Sequence, residues 1–153
     1  MTTISGLPAH ALLVHAIVVL APLVAILEIL CGFWPAARRR LVWLVLTLAL
    51  VNMVLTPVTT SAGQWLYAQL GNDSPILQTH KERGEWMPYF SAALLVVALT
   101  LAVMHWLEGR SDKRRTIATV IVAIVALAVG VSSIITVVRI GDAGAQAVWG
   151  RPG

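Results

Sequence analysis

Charge is scarce in this sequence: 12% of its 153 residues are Asp, Glu, Lys or Arg, against roughly 25% in an average soluble domain. Cysteine is scarcer still. Cys31 stands alone, so an intramolecular disulfide and a C-x-x-C redox pair are both excluded, and its surroundings read as those of a small buried apolar residue. There is no G-x-S-x-G elbow, no H-E-x-x-H zinc motif and no Gly-rich phosphate loop, which removes the common hydrolase, metalloprotease and nucleotide-binding classes. What fills the chain instead is apolar: 58% hydrophobic residues and a mean hydropathy of +0.83. Four membrane-spanning helices would take about 80 positions and leave no room for a soluble catalytic domain.

Four apolar runs carry that reading: about 11–34, 41–60, 87–107 and 117–138. Each is long enough to cross about 30 Å of hydrocarbon. The expected fold is an all-α, integral membrane, up-down four-helix bundle, with residues 1–153 forming one membrane domain. The loop 35–40 carries Arg38, Arg39 and Arg40, and the loop 108–116 carries Arg110, Lys113, Arg114 and Arg115, seven of the eleven Lys and Arg. The positive-inside rule puts those two loops in the cytoplasm and both chain termini outside. The tryptophans agree: Trp34, Trp43 and Trp106 fall at the expected cytoplasmic ends, and Trp65, Trp86 and Trp149 near the outer ends. Clusters this short flanking apolar helices explain a pI near 10.0 without nucleic acid. The segment before the first run lacks basic residues, so that run is expected to be a retained helix rather than a signal peptide.

Such a topology gathers the unusual residues on the outer side. His10 and His15 open the first span, Thr56 to Gln64 end the second, His80, Glu82 and Glu85 precede the third, and Arg139 and Asp142 follow the fourth. Imidazoles on facing helices of a bundle are the common way to hold a metal or haem iron. His15 is expected to point inward one turn below His10, although five residues along a helix turn it by about 140°. An imidazole at the membrane interface also serves as a wet anchor, so the cluster is compatible with a site without requiring one. Inside the spans, Glu28 needs a proton, water, or a partner such as Arg38 or His105. Asn52 is expected to bond between helices, Thr56-Pro57 to bend the second span, and Gly130, Ser132 and Ser133 to allow close helix packing. Gly141 and Gly144 in the tail 141–150 are expected to break the last helix and fold the tail back as a flap.

The segments Gly6-Leu7-Pro8-Ala9-His10-Ala11-Leu12-Leu13-Val14-His15 and Thr56-Pro57-Val58-Thr59-Thr60-Ser61-Ala62-Gly63-Gln64-Trp65-Leu66, with His80 and the tail Gly141 to Trp149, carry a resemblance. Together they resemble a bacterial family of predicted four-helix membrane proteins, catalogued as a domain of unknown function and common in actinobacteria. The resemblance covers nearly the whole chain and implies His10, His15 and His80 as shared polar positions. Some relatives are joined to Rieske iron–sulfur domains, which implies a redox setting. The sequence departs from the pattern at Ala11, where a proline often follows the first histidine, and at Asp142, where many members carry another histidine.

These readings converge on a histidine-centred site for haem b or a transition metal in the outer half of the bundle, serving electron transfer. For haem, His15 and His80 are the expected axial ligands, with His10 at the mouth and Arg139 on a propionate; for a bare metal, the expected donors are His10, His15, His80 and Asp142. The rival reading is a non-catalytic membrane subunit packed in a larger complex, with the histidines as interfacial anchors. The expected partners are the lipid bilayer and a redox protein or larger complex, with a homo-oligomer as a further expectation. A small transporter is a third reading, for which only Glu28 and Asn52 speak.

Overall fold

The computed structural model describes residues 3–4, 7–71, 74–110 and 116–150. Lys113, Arg114, Arg115, Asp73 and Arg151 lie outside the described residues. A two-residue antiparallel pair, β1 (Thr3–Ile4) with β2 (Leu7–Pro8), precedes five helices: α1 (Ala9–Phe33), α2 (Pro35–Leu70), α3 (Pro75–Gly84), α4 (Met87–Glu108) and α5 (Thr116–Trp149). Among the described residues, four helical stretches are long and apolar enough to cross a membrane: His10–Phe33, Pro35–Leu70, Pro75–Glu108, whose apolar part is α4 after a turn at Glu85–Trp86, and Thr116–Trp149. The chain is an all-α protein with the make-up of a four-helix membrane bundle.

Sequential helices are neighbours, with α1 against α2, α2 against α4, α4 against α5 and α5 back against α1, while α3 lies on α5. The starts of α1 and α4 and the ends of α2 and α5 therefore share one end of the bundle, called here the histidine end; the opposite, arginine end holds the α1–α2 junction and the end of α4. Small residues let the helices approach. A Cβ on Gly130 would come within 2.9 Å of Ile29 Cδ1, and one on Gly32 within 3.1 Å of the Ala123 Cα, so α1 and α5 meet almost backbone to backbone. Gly130 and Ser133 take part in this buried seam, whereas Ser132 is exposed. The side chains turned outward are large and apolar, among them Val19, Val54, Val96, Ile117 and Val138. That inversion of the soluble pattern is what a lipid-facing surface requires.

Three boundaries differ from the expectation. Residues 35–40 are not a loop: Trp34 alone separates α1 from α2, and Pro35 opens α2, where its missing N–H costs nothing and its fixed φ suits a helix start. Arg38 thus falls in the first turns of α2 and faces inward, and it is 1% exposed. The second, α2, runs to Leu70, ten residues beyond the expected span, and it passes through Pro57. Thr56 Oγ1 donates to the Asn52 carbonyl at 2.7 Å, and Thr60 Oγ1 to the Thr56 carbonyl at 3.0 Å, serving backbone acceptors in the turns around the proline. The third is the tail, which is no flap. α5 continues as helix through Gly141 and Gly144 to Trp149, because packing on α3 outweighs the roughly 1 kcal/mol that each glycine costs a helix.

Candidate functional site

At the histidine end, His10 begins α1 and His80 lies in α3, and their rings meet edge to face with centroids 6.1 Å apart and planes at 79°. Each ring is held in the same way. His10 Nδ1 donates to the Thr59 carbonyl at 3.0 Å, and His80 Nδ1 donates to the Ile140 carbonyl at 2.9 Å. A carbonyl can only accept, so each Nδ1 carries a proton, and in the neutral imidazole the lone pair then lies on Nε2. This is the second-shell bond that fixes the tautomer and orientation of a metal-ligating histidine.

Four residues beyond each accepting carbonyl stands a glycine against the ring. A Cβ on Gly63 would lie 2.7 Å from His10 Cε1, and one on Gly144 would lie 2.9 Å from His80 Cε1. The seat is thus built twice: Thr59 and Gly63 at the end of α2 hold His10 from the start of the first half, and Ile140 and Gly144 at the end of α5 hold His80 from the start of the second. The sequence carries a trace of this repeat in Ser61-Ala62-Gly63 and Asp142-Ala143-Gly144, a signal that a search for internal repeats would have found. Both imidazoles are partly buried. His80 sits in the polar helix that precedes the third apolar stretch; burial pushes its pKa below the usual 6.5, the Ile140 bond opposes that shift, and the neighbouring His10 adds to it.

The other expected donors are elsewhere. His15 is exposed, and its Nδ1 is bonded to the Ala11 carbonyl of its own helix. The physical reason is the 140° rotation: once His10 faces the bundle, a residue five positions on faces away. Arg139 is exposed, with its backbone carbonyl accepting Arg83 Nη1 at 3.2 Å. Asp142 is exposed and accepts Gln146 Nε2 at 2.9 Å. Asp142 and Arg83 line an open groove of about 240 Å³ with Ile76, Thr79, Ala143 and Gln146, on the face of α3 and α5 beside the histidine seat. Among the described residues, no three His, Cys, Asp or Glu side chains come together as a metal-binding group.

The arginine end has a different chemistry. Arg38 Nη2 and Nε donate to the two carboxylate oxygens of Glu108 at 2.6 and 3.3 Å, and Nη1 donates to the Cys31 carbonyl at 2.8 Å. Glu28 is expected to need a partner such as Arg38 or His105. It has none: it is fully buried, and neither oxygen is hydrogen-bonded. His105 turns its ring edge to face on Trp43, with centroids 6.2 Å apart. Midway along the bundle, Asn52 makes the expected interhelical bond, Nδ2 to Ser91 Oγ at 3.1 Å, and Ser91 Oγ is 2.8 Å from Thr56 Oγ1.

Residues 6–151 match a family described as a predicted membrane protein, DUF2231. The chain belongs to this family. No curated protein and no solved structure matches it. Membership of DUF2231 fits four apolar helices and leaves the chemistry of the histidine end to be argued from its geometry.

Proposed function

We propose that this DUF2231 protein is a membrane electron carrier that holds a b-type haem between His10 and His80 at the histidine end. The observation that carries the reading is the matched pair of imidazoles, each with Nδ1 anchored on a backbone carbonyl, each with Nε2 open, and 6.1 Å between ring centres. With both Nε2 atoms turned onto the line between the rings, two metal–nitrogen bonds of roughly 2 Å, together with the half-widths of the rings, would add up to about that separation. Two protein donors complete a haem iron, whose other ligands come from the macrocycle, whereas bare ions in proteins generally take three or four side chains. The Gly63 and Gly144 contacts keep both rings from rotating out of line. Arg83 and Arg139, side by side one turn from His80, supply positive charge for haem propionates. The positive-inside rule puts this end outside the cytoplasm, facing a redox partner there.

The test is the visible spectrum and metal content of the detergent-purified protein, as isolated and after dithionite reduction. A Soret band is expected in the wild type and in His15→Ala, and is expected to be lost in both His10→Ala and His80→Ala. A colourless protein that carries one transition-metal ion per chain, lost in the same two variants, would replace the haem with a bare ion on the same donors. A colourless, metal-free protein that remains folded would favour the rival reading, a structural subunit in a larger complex.

A further inference from the structure

The bundle interior holds a second polar feature that the histidine pair does not use. Glu28 is 0% exposed with both oxygens unpartnered, and it lies five residues, about 7.5 Å, from the end of α1. The charged and titratable groups nearest that level are few. On its own helix there is Cys31; α2 brings Arg38, already bonded to Glu108 and to the Cys31 carbonyl; α4 brings Glu108 and His105; the facing stretch of α5 brings none, only Ala123, Ala126, Gly130 and Ser133. A carboxylate with no counter-ion at that depth is costly, and such a residue in a membrane span is retained for a purpose.

From Glu28 toward the histidine end, fully buried polar side chains occur at successive levels of the bundle: Ser133 on α5, Asn52 and Thr56 on α2, and Ser91 on α4. Gly130 packs on the Ala25 carbonyl, which fixes the register of α5 on α1 and puts Ser133 about 9 Å beyond Glu28 along the axis. Helical side chains lean toward their own N-terminus, so Glu28 and Ser133, on antiparallel helices, lean toward each other. Asn52 follows about 7 Å further, measured back from Thr59 beside His10. Ser133 Oγ and Asn52 Oδ1 are themselves buried without partners. Beyond Asn52 the groups are hydrogen-bonded as far as Thr56, Asn52 to Ser91 and Ser91 to Thr56; one turn further along α2 lies Thr59, whose hydroxyl donates to the Leu55 carbonyl and whose own carbonyl holds His10.

We propose that Glu28 is a proton-binding site within the membrane, at the arginine end of a line of buried hydroxyl and amide groups that leads toward the histidine pair. The hydroxyls of Ser133, Ser91 and Thr56 can each accept a proton and donate one from the same oxygen, the property a relay needs, while the Asn52 amide orients Ser91 and offers an open acceptor. The longer steps, between Glu28, Ser133 and Asn52, would be carried by chains of bound water. One proton joins one carboxylate oxygen of Glu28 and leaves it to water or to the relay; no other bond changes. The inference does not depend on what the histidines bind.

The experiment uses the full chain in lipid. Infrared difference spectra with carbon-13-labelled glutamate should show a carboxylic acid C=O band that shifts on transfer to D₂O and is absent from Glu28→Gln. In proteoliposomes given a pH step, Glu28→Gln and Asn52→Leu should each slow the protein-dependent proton flux at least tenfold. The proposal is overturned if no protonated glutamate band is found, if the band stays unshifted in D₂O, or if Glu28→Gln carries protons as fast as the wild type. Should Glu28→Gln fail to fold, exchange of the labelled band in the wild type decides alone.

Discussion

The two ends of the bundle solve the same problem, polar side chains packed into an apolar structure, in opposite ways. At the arginine end Arg38 is buried with its guanidinium bonded on both edges, to Glu108 and to the Cys31 carbonyl. That arrangement closes α1, α2 and α4 together, with each guanidinium nitrogen engaged by a group of the protein itself. At the histidine end two imidazoles use one nitrogen each for position and keep the other open. Nitrogens all tied to the protein hold a fold; a half-used pair, held rigid by two glycines, is what a ligand site needs.

Breaking either end should therefore read out differently. The largest effect is expected from Glu108→Ala, which leaves Arg38 buried without its counter-ion. Losing one partner of a buried pair costs 3–5 kcal/mol; with the Glu108 side chain 30% exposed, a loss of about 2–3 kcal/mol is expected in denaturant titration of the micellar protein, with the bound chromophore intact until unfolding. Gly144→Leu and Gly63→Leu push a side chain into the His80 and His10 rings. Each should cost about 1–3 kcal/mol and should also lower ligand occupancy at least tenfold, a coupling that Glu108→Ala lacks.

Acid sharpens the same contrast. The folded protein holds the His80 pKa below 6.5, so the neutral form predominates at pH 7. As pH falls below 6.5 the unfolded chain takes up a proton that the folded one resists. Stability should therefore decline below that pH, together with occupancy of the proposed site, and the decline in stability should be smaller in His80→Gln. The smallest effect is expected at Gly141, where an added Cβ meets nothing within 4 Å. Gly141→Ala should raise stability by about 0.5–1 kcal/mol through helix propensity alone, with the spectrum unchanged.

The spans, the membrane class and the gathering of histidines at one end were legible in the sequence, because apolar run length and the placement of Trp, Lys and Arg follow directly from the bilayer. Helix ends were less so. Once outside hydrocarbon, α2 and α5 continue because α3 and the start of α1 pack against them, and such contacts leave no local sign. The partner of Arg38 lies 70 residues away, so reading Arg38 as a topological charge or as a partner for Glu28 missed its pairing with Glu108. His15 drew attention as half of a paired motif, yet helix rotation already set it apart from His10. The doubled seat was visible only as two Ala-Gly pairs, and the accepting carbonyls of Thr59 and Ile140 are backbone groups that a side-chain reading passes over.

The most direct test of the account is X-ray absorption at the metal edge of the purified, membrane-extracted protein, compared with His10→Ala and His80→Ala. The account predicts an iron centre with two imidazole ligands at roughly 2 Å, one of which disappears in each variant. A metal centre unchanged by either substitution, or altered instead by His15→Ala, would contradict it.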